Sequence, residues 1–347
     1  RVGEGPFPTE LKDKTGELLT KNIAGVNRIL PHKHKYAWDL FIKSCANNWM
    51  PTEISMQNDI KQWKNNEITE DEKLLVKRCL GFFAGSESLV GNNLLLSAFR
   101  FITDAECRQY ILRQAFEESL HNLTIVYICD SLDLDIDEVF TAYETIPSIK
   151  AKDDFLMEIT NDISRQDFNA HSKEGKQEIL RNFLTYWIVC EGTFFFSGFA
   201  MLLALGRQNK LQGISDQIKY TLRDESSHIA FGTYLINTLI EQNPGIWTKS
   251  IQEEFTNHIK KAVELEIAYA HDVLPTGILG LNAEMFVDYM YYIGNRRLEA
   301  IGLDYRFPSD KNPFPWLSEV VDVQAMGNFF ERRVREYQQS GALEDDF

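Results

Sequence analysis

Two Glu-x-x-His tetrads, Glu118–His121 and Glu225–His228, stand far apart in the chain, and each is preceded by a further Glu inside an apolar run. Those two are Glu87 in FFAGSESLVGNNLLL and Glu191 in YWIVCEGTFFFSGFA. Residues three apart share one face of a helix, so each tetrad presents a carboxylate and an imidazole together. Four carboxylates and two imidazoles are a ligand set for two metal ions. Bundles that hold such a pair take one Glu from each of two helices and Glu-x-x-His from each of the other two. A carboxylate carried alone into a core costs several kcal/mol unless it is paired, protonated or metal-bound. Four such insertions call for a common compensation, and a pair of cations supplies it. Oxygen and imidazole donors without thiolate suit iron or manganese and disfavour structural zinc or copper(I). The other five histidines, His32, His34, His171, His258 and His271, lack a Glu three positions before them.

The elements that must carry these side chains read as helices. Thr69-x-x-Glu72 and Thr103-x-x-Glu106 match the capping-box pattern and open long periodic runs, to about Phe101 and about Leu132. Further helical runs are predicted at roughly 136–146, 176–208, 213–241, 249–272 and 282–301. Steps of three and four place Ile111, Ala115, Glu118, His121, Ile125 and Ile128 on one stripe. The same test aligns Leu80, Phe83, Glu87, Val90 and Leu94, then Leu184, Ile188, Glu191, Phe195 and Phe199, and finally Ile218, Leu222, Glu225 and Ile229 beside His228. The expected architecture is an all-α, ferritin-like helical bundle with the di-metal site in its core. Residues 1–35 read as a loosely packed arm, 36–337 as the di-metal domain, and 338–347 as a tail ending in GALEDDF. The phenylalanines Phe194, Phe195, Phe196 and Phe199 read as core that also keeps water from a strong oxidant.

Composition narrows the function. A net charge of −15 argues against a nucleic-acid surface. No uninterrupted apolar stretch of about 18 residues appears, so no membrane span is expected, and no signal-peptide pattern opens the sequence. Five scattered cysteines without a Cys-x-x-Cys spacing read as reduced core residues of a cytoplasmic protein.

From Tyr36 to Tyr337 the chain resembles the radical-generating small subunit of class I ribonucleotide reductase. The motifs that carry the resemblance are NNWMPTEISMQNDI, FFAGSESLVGNN, RQAFEESLH, EGTFFFSGF, LRDESSH and NPFPW. The resemblance implies a homodimeric subunit that oxidises a cysteine in a separate catalytic subunit, which then reduces ribonucleotides to deoxyribonucleotides. It assigns Glu87, Glu118, His121, Glu191, Glu225 and His228 to the metals. It also assigns Trp49 and Asp224 to an electron-transfer chain leading from His121, Tyr337 to the transfer across the subunit boundary, and the tail to docking on the catalytic subunit.

Two positions depart from the common pattern. Most members keep a radical-bearing tyrosine seven residues after the Glu of the first tetrad, where this chain has Ile125. Tyr127 is two residues on, about 200° around a helix, and is not a substitute. Glu87 stands where Asp is common. Both changes resemble the chlamydial-type subclass, in which the oxidising equivalent stays on a manganese/iron cluster. The resemblance therefore implies Mn/Fe first, Mn/Mn second and Fe/Fe third. Two rival readings are a self-contained di-metal oxidase of the same fold acting on a bound small ligand, and a ferritin-like metal store.

Overall fold

A computed structural model describes residues 16–20, 25–278 and 280–318. The longer helices are α1 (Lys35–Ala46), α2 (Glu70–Asn93), α3 (Ala105–Leu132), α4 (Pro147–Ile159), α5 (Lys173–Phe183), α6 (Phe196–Arg207), α7 (Gln212–Gln242), α8 (Lys249–Val273) and α9 (Ala283–Ala300). Two π-helical segments interrupt the α-winding, Leu94–Ala98 after α2 and Leu184–Phe194 between α5 and α6. No strand occurs among the described residues; Ile278 and Leu281 form an isolated bridge. The all-α bundle expected from the sequence is what the chain forms.

Local chemistry sets the helix starts. At α2 the capping box is complete: the Glu72 N–H donates to Thr69 Oγ1 at 3.2 Å, and the Thr69 N–H donates to the Glu72 carboxylate at 2.9 Å. The box expected at Thr103 does not form. Asp104 caps α3 instead, accepting from the Cys107 N–H at 2.9 Å. Thr103 and Glu106 are drawn off to the N-terminal segment, where Thr20 N–H donates to Thr103 Oγ1 and Lys33 N–H donates to Glu106. Leu18 and Leu19 are buried against the bundle, so this part of the segment expected to be loose is packed and stitched. The start of α7 is held from outside: buried Asp59 accepts the Gly213 and Ile214 N–H groups at 2.9 and 2.8 Å. A Cβ at Gly213 would lie 2.7 Å from the Ser55 carbonyl, which is why glycine stands there.

Helix α4 was not among the predicted runs; its Pro147 occupies the first helical position, where a missing N–H costs nothing. Together α5, the π segment and α6 form one run, Lys173–Arg207, long and apolar enough to cross a membrane by length and composition. The expectation that no such stretch exists is corrected to that extent. Its apolar window is 94% buried inside the bundle, as befits a core helix wrapped on all sides. Around it α2 packs on α3, α6 and the π segment on α7, and α8 on α9. Phe82, Phe83, Phe195 and Phe199 interlock edge-to-face and stacked at its centre.

Candidate metal centre

Four elements aim their polar side chains at one point in this core. Glu87 comes from α2, Glu118 and His121 from α3, Glu191 from the π segment, and Glu225 and His228 from α7. All six are at most 1% exposed. They fall into two groups compatible with a metal ion, Glu87–Glu118–His121–Glu225 and Glu118–Glu191–His228. His121 Nδ1 lies 3.4 Å from Glu87, 3.4 Å from Glu118 and 3.1 Å from Glu225. His228 Nδ1 lies 3.1 Å from Glu118, 3.4 Å from Glu225 and 3.8 Å from Glu191. Glu118 and Glu225 each turn one oxygen to each imidazole, whereas Glu87 faces His121 and Glu191 faces His228.

Hydrogen bonding tests the fit of a metal pair. The Nδ1 atoms of both histidines, both oxygens of Glu225, and one oxygen each of Glu87 and Glu118 have no hydrogen-bond partner. A buried polar atom without a partner costs about 1–3 kcal/mol, more when charged. Here such atoms converge from three helices. This oxygen and imidazole donor set fits a pair of divalent cations.

Burial and mutual charge shift the titration of these groups. Burial, reinforced by Glu225 and Glu118, pushes the Glu191 carboxyl well above the usual range. Burial does the same to Glu87, outweighing the opposing pull of His121. His121 and His228 move well above an ordinary imidazole, because the facing carboxylates outweigh a burial effect of opposite sign. Glu118 moves down: burial would raise it, but His228 and His121 prevail. Metal binding displaces these protons, so affinity falls with acidity.

Each imidazole is oriented from behind by a carboxylate on the opposite helix, as metal-ligating histidines usually are. Asp224 faces His121 Nε2 at 3.5 Å, and Glu117 faces His228 Nε2 at 2.8 Å. The indole N–H of buried Trp49 donates to Asp224 at 2.8 Å, and Arg223 contacts its other oxygen at 3.2 Å. Burial would raise Asp224, yet His121, Arg223 and Trp49 hold it below the usual carboxylate value. Tyr220 stacks on Trp49 with ring centroids 5.2 Å apart. Glu117 is in turn held by Arg113 at 3.0 Å and by the Ser44 hydroxyl. Gln114 donates to Glu191 at 3.1 Å and accepts from the Trp187 indole N–H at 3.2 Å.

Thus the six residues predicted as ligands converge, Trp49 and Asp224 join them through His121, and Tyr337 lies outside the described residues. Glu117, Gln114 and Tyr220 were missed. The signal for Glu117 was present: an acid precedes the Glu of each tetrad, Glu117 before Glu118 and Asp224 before Glu225, and each serves the other tetrad's histidine. Ile125 is buried, and the Tyr127 hydroxyl donates to the Ile54 carbonyl at 3.0 Å.

Comparison with known proteins extends this picture. The family model "Ribonucleotide reductase, small chain" matches residues 26–313. The chain is 52% identical over 326 residues to a "Ribonucleoside-diphosphate reductase subunit beta" of Chlamydia pneumoniae, covering 94% of each. It is 29% identical to a "Ribonucleoside-diphosphate reductase small chain" of Plasmodium falciparum, covering 91% of this chain and 84% of that one. Among solved structures, the "Ribonucleotide reductase R2 subunit from Clostridium botulinum" superposes with a TM-score of 0.79 at 28% identity, covering 90% of this chain and 98% of that one.

Proposed function

Because this chain belongs to the ribonucleotide reductase small-chain family, whose fold is the ferritin-like bundle and whose members act with a large subunit as an oxidoreductase, we propose that its own oxidising equivalent is held on a metal pair, with no tyrosyl radical beside it. The substrates are ribonucleoside diphosphates, as the relatives' names have it. The ligands are Glu87, Glu118, His121, Glu191, Glu225 and His228. Mn/Fe is the preferred pair, followed by Mn/Mn and Fe/Fe. The observation that carries the reading is the convergence of buried, unpartnered Nδ1 and carboxylate oxygens from separate helices.

When bound, the metal pair would supply and hold a one-electron oxidising equivalent, and the chain's residues shield it and conduct it. Storage on the metals follows from Ile125, which offers no phenol to oxidise. The phenylalanine shell of Phe194, Phe195 and Phe199, each fully buried, keeps water out. The outward line is Trp49–Asp224–His121. An indole that loses an electron becomes far more acidic, and the anionic Asp224 carboxylate 2.8 Å away is placed to accept or share its proton. From Trp49 the hole passes to Tyr337 and on to a cysteine of the catalytic subunit, with residues 338–347 docking that partner.

Homodimerisation is assigned to an apolar face: α3 leaves Leu112, Phe116 and Val126 exposed, and the π segment Leu94–Ala98 that packs on α3 leaves Leu95 and Leu96 exposed. Exposed apolar clusters of this kind mark interaction surfaces. Free thiols at all five cysteines suit the cytoplasm.

Removing residues 338–347 tests the partner-dependent reading. Turnover with the catalytic subunit should disappear while metal content is unchanged; a truncated chain that remains fully active favours the self-contained oxidase. EPR of active protein tests the subclass, since a stable tyrosyl signal with iron as the only metal overturns a metal-held oxidant.

A further inference from the structure

Glu191 sits in an 11-residue π-helical segment, Leu184–Phe194. π-Turns are rare and mostly confined to a single turn, often at functional sites. Where the wide winding gives way to α-helix at Phe196, backbone groups fall out of register, and buried backbone groups need partners. Charged side chains from three other helices provide them. Lys152 on α4 donates to the Phe194 carbonyl at 3.0 Å. Glu266 on α8 accepts the Ser197 N–H at 3.3 Å. Arg297 on α9 donates to the Gly192 carbonyl at 2.5 Å. Lys152 and Glu266 are fully buried and paired with each other. The ammonium is caged by Phe82, Tyr269 and Phe194, at 3.3, 4.2 and 5.1 Å from the ring centroids.

Such a pair is not explained by stability. Exchanging a buried ion pair for apolar side chains of similar volume is often neutral or stabilising. What an apolar pair lacks is a donor for Phe194 and an acceptor for Ser197. We propose that Lys152 and Glu266 are positioning residues for metal binding: their pair pins the wide winding of Leu184–Phe194 and so fixes where Glu191 stands against Glu118 and His228. Relaxing the segment by one residue into α-geometry rotates the downstream residues by about 100° and carries Glu191 out of the Glu118–Glu191–His228 group. The Glu87–Glu118–His121–Glu225 group, which does not use Glu191, is left intact.

This inference rests on Glu191 being a ligand. The test uses full-length protein loaded with Mn(II) alone, with bound metal counted after equilibrium dialysis and the Mn(II) EPR spectrum recorded. In Lys152→Met/Glu266→Leu, the metal-free protein should melt no lower than the native chain, yet bind one Mn(II) per chain where the native chain, with its two groups, binds two. The spectrum of a coupled pair should give way to that of isolated ions. Glu266→Gln keeps an oxygen for Ser197 and leaves Lys152 on Phe194, and should hold both ions. The inference is overturned if the double variant keeps both ions and the coupled spectrum. It is equally overturned if that variant loses both ions along with its fold, or if Glu266→Gln loses an ion as readily. Glu191→Ala separates the two layers. Full loading in that variant removes the ligand assignment itself, whereas a lost ion there with full loading in the double variant removes only the pinning.

Discussion

Replacing Glu87 by Gln should leave the metal-free protein as stable as before and yet weaken its response to metal. In the metal-free state burial pushes the Glu87 carboxyl well above its ordinary range and so favours its neutral form, and one of its oxygens has no hydrogen-bond partner. An amide of the same shape therefore replaces one neutral group with another, and the expected change is within about 0.5 kcal/mol. With Mn(II) present at 100 times its dissociation constant, each site stabilises the native chain by about 2.7 kcal/mol. Losing an anionic ligand from the Glu87–Glu118–His121–Glu225 group, at a cost of about 100-fold in affinity, leaves about 0.4 kcal/mol from that site. The difference is about 2.3 kcal/mol. At about 2.1 cal/mol/K of unfolding entropy per residue over 347 residues, this lowers the metal-induced rise in melting temperature by about 3 °C. Differential scanning calorimetry of both proteins, with and without Mn(II), measures both quantities. A full native rise in Glu87→Gln, or a metal-free variant that already melts about 3 °C lower, refutes the reasoning.

Trp49→Phe keeps an aromatic ring but removes the donor to Asp224; metal content should be unchanged, and turnover with the catalytic subunit should fall at least 100-fold by the order of magnitude expected for a positioned proton acceptor. Tyr337→Phe should leave the metal spectrum unchanged and stop turnover, so persistent turnover removes Tyr337 from the route. Asp153→Asn should stabilise the protein in a pH-dependent way. Burial pushes this carboxyl up to about 6, and one of its oxygens is unpartnered. The native state therefore keeps a proton that the unfolded chain releases, a cost that grows from about pH 4 and is complete above about pH 6. The gain in Asp153→Asn should be of order 3 kcal/mol at pH 7 and absent at pH 3; urea titrations at the two pH values that show equal gains contradict it.

The six converging side chains were legible in their spacing: a carboxylate and an imidazole three apart on a helix, twice, each with a lone Glu in an apolar run. The helices that carry them were legible for the same periodic reason. The winding of Leu184–Phe194 was not, since a segment apolar on every side has no polar stripe to show its period, and the charges that hold it come from Lys152, Glu266 and Arg297, remote in sequence. At the start of α3 two acceptors stand side by side, Thr103 and Asp104; the pattern favours the threonine, but the N-terminal segment claims it. Glu117 was hidden by its neighbour, because one residue, about 100° of helix, separates facing inward from facing the opposite histidine. Cys45 is exposed, against the reading of all five thiols as core. It lies near the end of α1, which buries only Ala37, Leu40 and Ser44.

Anomalous X-ray diffraction at the manganese and iron edges, on crystals of active protein, tests the account at its centre. Two ions should appear above the iron edge and only one of them, the manganese, between the two edges, with Glu118 and Glu225 shared between them, His121 and Glu87 on one, and His228 and Glu191 on the other. Scattering from a single ion, or a loaded crystal with no anomalous density among these six side chains, would contradict it.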